Sequence, residues 1–85
     1  MDSVDIEITD IEKTIANVED AVGQGAKPDS TVKAWLNKVQ ARLGEIRANT
    51  KTEYTGIGDG ERKTLLEARF ETVNALIGRV KAIQK

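Results

Sequence analysis

An antiparallel three-helix bundle is the fold this chain predicts, and three observations predict it. Apolar residues recur at alternating spacings of four and three in three separate runs, glycine and proline gather between the runs, and the first run is acidic where the other two are basic. Alternating four-three spacing draws a narrow apolar seam along an α-helix, the geometry by which neighbouring helices zip together. One domain of 85 residues accommodates three such helices around a single modest core.

The first seam is Val4, Ile8, Ile11, Ile15, Val18 and Val22. Ser3 or Asp2 offers a capping oxygen at its start. Gly23, Gly25 and Pro28 close it, because glycine accepts the left-handed geometry of a helix C-terminus and proline cannot continue a helix. The second seam is Val32, Leu36, Val39, Leu43 and Ile46, opened by Asp29, Ser30 and Thr31, all capping residues. It fades around Asn49 to Glu53, and Tyr54-Thr55-Gly56-Ile57-Gly58-Asp59-Gly60 reads as a flexible connection. The third seam is Leu66, Phe70, Val73, Ile77 and Val80, widened by Leu76 and Ile83. Asp59 is a candidate cap, Glu61 suits the first turn, and Arg79, Lys81 and Lys85 suit the last, where the helix dipole favours cations. The predicted helices lie near 3–22, 31–51 and 60–84.

Composition narrows the function classes. With one Trp, one Tyr, one Phe and one Met, the core must be aliphatic, and a charged fraction of 32% suffices to coat the exterior. Cysteine and histidine are both absent, which removes disulfides, thiolate ligands, imidazole ligands and the usual general base near neutrality. No catalytic, cofactor or metal site is expected. The Gly56–Gly60 stretch shares only glycine content with a phosphate-binding loop: it follows a helix, and it lacks the lysine and spacing of a P-loop. The acids of the first helix lack the regular oxygen spacing of a calcium loop. No run approaches the roughly 18 apolar residues that span a membrane, and the opening Met1, Asp2, Ser3, Val4, Asp5 lacks the basic start of a secretion signal. A soluble, cytoplasmic chain is expected.

Charge is distributed unevenly. Residues 1–31 carry eight acids (Asp2, Asp5, Glu7, Asp10, Glu12, Glu19, Asp20 and Asp29) against Lys13 and Lys27, whereas residues 32–85 carry eleven bases against six acids. In heptad register Asp5, Glu12 and Glu19 flank the first seam, Lys33, Arg42 and Arg47 the second, and Arg69 and Lys81 the third. Such flanking charges set helix order inside a bundle, each exposed pair adding about 0.3–0.5 kcal/mol. The alternative reading makes Asp5, Glu12 and Glu19 an acidic interface for a basic partner, an inhibitor or regulator that binds a nucleic-acid-binding enzyme. Direct nucleic-acid binding is not favoured: Arg62, Lys63, Arg69, Arg79, Lys81 and Lys85 make helix three basic, but Glu61, Glu67 and Glu71 interrupt the field and there is no aromatic platform.

The backs of helices two and three are built from small residues. Ala34, Ala41 and Ala48 lie opposite the second seam, and Ala68, Ala75 and Ala82 opposite the third. Val39 to Ala48 matches Val73 to Ala82 position by position, with Gly44 aligned on Gly78; heptad selection explains this more simply than duplication. Alanine favours helix, but each mid-helix glycine costs about 1 kcal/mol against alanine, so Gly44 and Gly78 imply close backbone approach or a tolerated defect. These residues, with Trp35 beside the second seam, are the candidate interface for a protein partner or for self-association through helices two and three.

Ala34-Trp35-Leu36, then Tyr54-Thr55 before a glycine turn, then Arg62, Leu65-Leu66 and a closing helix with Arg79-Val80-Lys81 resemble the layout of small tailed-phage head–tail joining proteins of the W type. The resemblance covers residues 34–85 and implies two helices flanking a short hairpin, in a protein that docks on the portal assembly as a plug or adaptor and would be virion-associated. The first helix lies outside it. Residues 18–39, through Asp20-Ala21, Gln24, Asp29, Val32-Lys33 and Trp35-Leu36, resemble the first helical pair of plant immune-receptor coiled-coil domains; the acidic motif expected next is absent from Ala41 to Thr50. A non-catalytic helical interaction component, in its most concrete form a phage virion or assembly adaptor, is the expected function.

Overall fold

Three helices follow one another without an intervening strand among the described residues, 3–84, of the computed structural model: α1 (Ser3–Gly23), α2 (Ser30–Gly56) and α3 (Glu61–Gln84). Side-chain pairs fix their directions. Asn37 meets Gln84, Arg47 meets Asn74 and Tyr54 meets Glu67, so every step forward along α2 is matched by an equal step back along α3. These two helices are therefore antiparallel. Asp5 pairs with Arg69 and Glu19 with Arg79, so α1 runs parallel to α3 and opposite to α2. The result is an up-down-up bundle, 47 Å long and 19 by 18 Å across, in which the 27 residues of α2 alone account for about 40 Å at about 1.5 Å each.

One core joins all three helices. Ile8, Ile11 and Ile15 from α1 meet Leu36, Val39, Leu43 and Ile46 from α2 and Val73, Leu76 and Val80 from α3, with Val4, Val32, Trp35, Ile77 and Ile83 packed at its margins. The first two seams lie where periodicity places them, although the first weakens toward its end, where Val18 is half-buried and Val22 is exposed. The third is rotated from the expected line. Leu66, Arg69, Val73, Leu76 and Val80 are buried, while Phe70 and Ile77 are half-buried. α3 packs against two helices rather than one, so its buried face is wider than a two-stranded seam and turns toward the bundle axis.

The connections follow local chemistry. Gly25 (φ +97°) ends α1, its N–H donating to the Val22 carbonyl at 3.0 Å and the Ala26 N–H to the Ala21 carbonyl at 3.0 Å, a Schellman closure. Asp29 caps α2 by accepting from the Val32 N–H at 2.9 Å. The proposed cap Asp2 lies outside the described residues, and Ser3 stands as the first residue of α1.

α2 runs five residues beyond its expected end at 51. Thr50 continues the seam: it is buried, and its hydroxyl donates to the Ile46 carbonyl at 2.7 Å, which lets a polar residue sit in line with the aliphatic ones. Tyr54 and Ile57 follow, both half-buried. At the other turn, the Asp59 carboxylate takes the Lys63 ammonium at 3.1 Å, and the Gly60 carbonyl receives the first α3 amide, from Thr64, at 3.3 Å. Asp59 is thus a counterion rather than the expected side-chain cap.

Candidate interaction surface

Two surfaces emerge, one filled and one open. The filled surface is the trough of α2 and α3 in which α1 lies. Arg69, only 7% exposed at its side chain, forks onto Asp5, with Nε to Oδ1 at 3.0 Å and Nη2 to Oδ2 at 3.1 Å. Arg42 forks onto Glu7 at 2.7 and 2.8 Å and also reaches Glu45 on its own helix. Arg79 forks onto Glu19. Paired forks are the strongest geometry for carboxylate and guanidinium. Hydrogen bonding to arginine holds the Glu7 and Glu19 carboxyls below their usual range, and Arg42 and Arg79 are held above theirs by the same bonds. The acidic helix therefore turns two of its three flanking acids, Asp5 and Glu19, inward to arginine. Glu12 remains exposed, near enough to Arg79 to reinforce its charge.

The open surface is the face of α2 and α3 turned away from α1. A groove of about 430 Å³ lies there, lined mostly by apolar surface from Leu66, Phe70 and Tyr54, with Lys51, Glu67 and Glu71 at its edges. Its aromatic walls are fixed in place. The Arg47 guanidinium stacks 5.0 Å from the Phe70 ring while donating to Asn74 Oδ1 at 2.6 Å. The Tyr54 hydroxyl donates to Glu67 at 2.8 Å, and the Lys63 ammonium sits 5.0 Å from the centre of the Tyr54 ring. Bonding to Glu67 pushes the Tyr54 phenol up.

The small-residue stripes are at the surface but do not form one patch. Ala34, Ala41, Ala48, Ala68, Ala75 and Ala82 are all exposed. Each row lies opposite its own core face, and because the core faces of α2 and α3 converge, the two rows point apart. Gly44 and Gly78 are rotated roughly 60° from Ala41 and Ala75, toward the side of their helices that bears the open groove, and neither lines it. A Cβ added at either would meet no atom within 4 Å, so neither glycine serves a close approach inside the molecule. Trp35 is half-buried, packed at the margin of the core with part of its surface open to solvent.

The groove was not visible from spacing alone. Tyr54 falls in a glycine-rich stretch whose composition predicts a connection, and Phe70 on a line whose spacing predicts the core seam. The antiparallel register brings them together, and only knowledge of helix rotation reveals it. Among the described residues no cluster of three or more His, Cys, Asp or Glu could hold a metal ion, no helix is long and apolar enough to cross a membrane, and no buried side-chain polar atom lacks a partner. Comparison with protein-family models, with curated proteins and with solved structures gave no match to this chain.

Proposed function

We propose that this protein is a non-catalytic helical interaction component that receives another protein along the open face of α2 and α3. One observation carries the reading: the groove combines half-buried aromatic side chains with a mostly apolar lining and a charged edge. Anchored aromatic residues of this kind are typical of protein-binding hot spots. The polar groups beside them are engaged with one another, Tyr54 with Glu67 and Arg47 with Asn74, which suits a contact surface better than a reaction centre. The more specific version, a phage virion or assembly adaptor, rests on the residue resemblance over 34–85 alone; the short hairpin which that resemblance implies is a turn at 57–60 here, with Tyr54 and Thr55 inside α2.

Two pairs of substitutions test the assignment. Lys51→Glu with Glu71→Lys alters the groove edge, and Ala41→Gln with Ala75→Gln alters the outward backs. Sedimentation velocity reads self-association, and recovery from the native source reads partner binding. Loss of association in the first pair alone supports the groove. Loss in the second pair alone transfers the interface to the small-residue stripes, and unchanged association in both refutes the proposal.

A further inference from the structure

We propose that the trough on α2 and α3 is a docking surface for an acidic amphipathic helix, and that α1 of a second copy occupies it by reciprocal exchange. The trough pairs an apolar floor with three arginines, Arg42, Arg69 and Arg79, set to receive carboxylates. Within this chain the helix that matches this pattern is α1. Its Ile8, Ile11 and Ile15 fill the floor, and its Asp5, Glu7 and Glu19 meet the arginines. Every contact that α1 makes in its own molecule is available to the same helix from another.

Two features make exchange accessible. α2 and α3 are fastened to each other by pairs that do not involve α1: Asn37 with Gln84, Arg47 with Asn74, Tyr54 with Glu67 and Glu53 with Arg62. The covalent link of α1 to them is residues 24–29, a short connection with Gly25 at positive φ and Pro28, and its seam loosens before that connection at Val18 and Val22. Short hinges of this kind favour exchange of an identical element between protomers. A short linker holds α1 at an effective concentration of about 1 mM, so docking in its own chain prevails in dilute solution and exchange grows as the protein is concentrated. The trough is the opposite face from the open groove, so exchange does not depend on that groove having a partner.

Charge reversal in the full chain tests it. One variant carries Asp5→Arg, Glu7→Arg and Glu19→Arg; the other carries Arg42→Glu, Arg69→Glu and Arg79→Glu. Alone, each opposes like charges across the trough, whereas in a mixture each first helix matches the other chain's trough. The expected result on equimolar mixing is a species of twice the 9.3 kDa chain mass, absent from either variant alone, with thermal midpoint and helix content rising toward those of the wild type. Mixed pairs should outnumber like pairs by about tenfold or more. A chain carrying all six substitutions reports compatibility in cis: if it folds as a monomer while the mixture stays unpaired, the proposal is overturned. If that chain does not fold, the wild type decides. The sequence has no cysteine, so donor and acceptor dyes are placed on separate chains at Asn17→Cys and Lys38→Cys, both exposed. Energy transfer between chains that rises toward about 1 mM and exceeds that of the same dyes on the Asp5→Arg, Glu7→Arg, Glu19→Arg chain supports exchange, and a signal no greater than that control refutes it.

Discussion

Arg69 of α3 is buried, and its guanidinium forks onto the half-open carboxylate of Asp5 at the start of α1. The pair joins residues 64 positions apart and fixes where the first helix begins its contact with the third. Burying a guanidinium is costly, and the cost is offset only while carboxylate bonds are intact. Asp5→Ala should therefore destabilise the fold by about 1–2 kcal/mol, the exposure of Asp5 keeping the loss below that of a fully buried pair. Arg69→Met, which removes the charge and keeps the volume, should cost less. Thermal unfolding followed by circular dichroism compares the two, and the reverse ranking would contradict this account of the pair.

Gly44 and Gly78 should both accept alanine with a gain. Each lies inside a helix with open space around the missing Cβ. Replacing glycine by alanine removes backbone freedom from the unfolded chain without a clash in the folded one, worth about 0.5–1 kcal/mol per site. The double variant should unfold several degrees higher than the wild type. If it is more stable yet loses self-association, a close contact between molecules is identified at these positions.

Acid should loosen the bundle through α1. The folded-state values of Glu7 and Glu19 lie below the ordinary 4.5, so their contribution is present in full above that value and disappears as pH falls through the depressed ones. Urea midpoints should hold steady down to about pH 5 and then decline. Glu7→Gln with Glu19→Gln should lower stability near neutrality and flatten the decline. An unaltered acid limb in that variant would assign the effect to other carboxylates. The Tyr54 phenol, raised by Glu67, acts in the opposite sense: its contribution is lost above its ordinary value of 10.0 as pH rises.

Much of the architecture is written in aliphatic spacing. Ile8, Ile11, Ile15, Leu36, Val39, Leu43 and Ile46 are buried where a four-three count places them, because each of their helices presents one narrow face to the core. The count misplaces α3, since Leu76 and Arg69 enter a face shared between two neighbours while Phe70 and Ile77 are turned to its edge. Hydropathy treats Arg69 as surface; its burial depends on a carboxylate 64 positions away. Thr50 hides the length of α2 in the same manner, because a threonine whose hydroxyl bonds the preceding turn packs as valine does. The candidate groove was less legible than the fold because it belongs to no single helix. It requires the register between Tyr54 and Glu67 and between Arg47 and Asn74, which periodicity within one segment does not contain.

Thr50 itself provides a direct check on that reasoning. Thr50→Val keeps the shape and removes a buried hydroxyl whose acceptor, the Ile46 carbonyl, also serves the helix ladder. The expected change is within about 1 kcal/mol of zero. Thr50→Asp places a charge in the same apolar site and should lower the thermal midpoint severely. Equal losses in the two variants would show that the hydroxyl, rather than the packing, holds the end of α2.

Glu12 and Glu19 separate the two uses of the acidic helix. Both flank the first seam, but Glu19 forks onto Arg79 whereas Glu12 stays exposed and acts on that arginine only through space. If the acids serve to seat α1, Glu19→Gln should lower the thermal midpoint and Glu12→Gln should leave it nearly unchanged, within about 0.5 kcal/mol. Added salt should shrink the difference between them, since partly exposed pairs are screened over about 8–10 Å at moderate ionic strength. A surface offered to a basic partner makes the opposite demand. Glu12, already free of a fork, would then contribute to binding as much as Glu19 or more, and Glu12→Gln would weaken capture of a basic protein without changing stability. Paired melting and binding measurements on these two variants therefore decide whether the negative charge of α1 acts within the bundle or outside it.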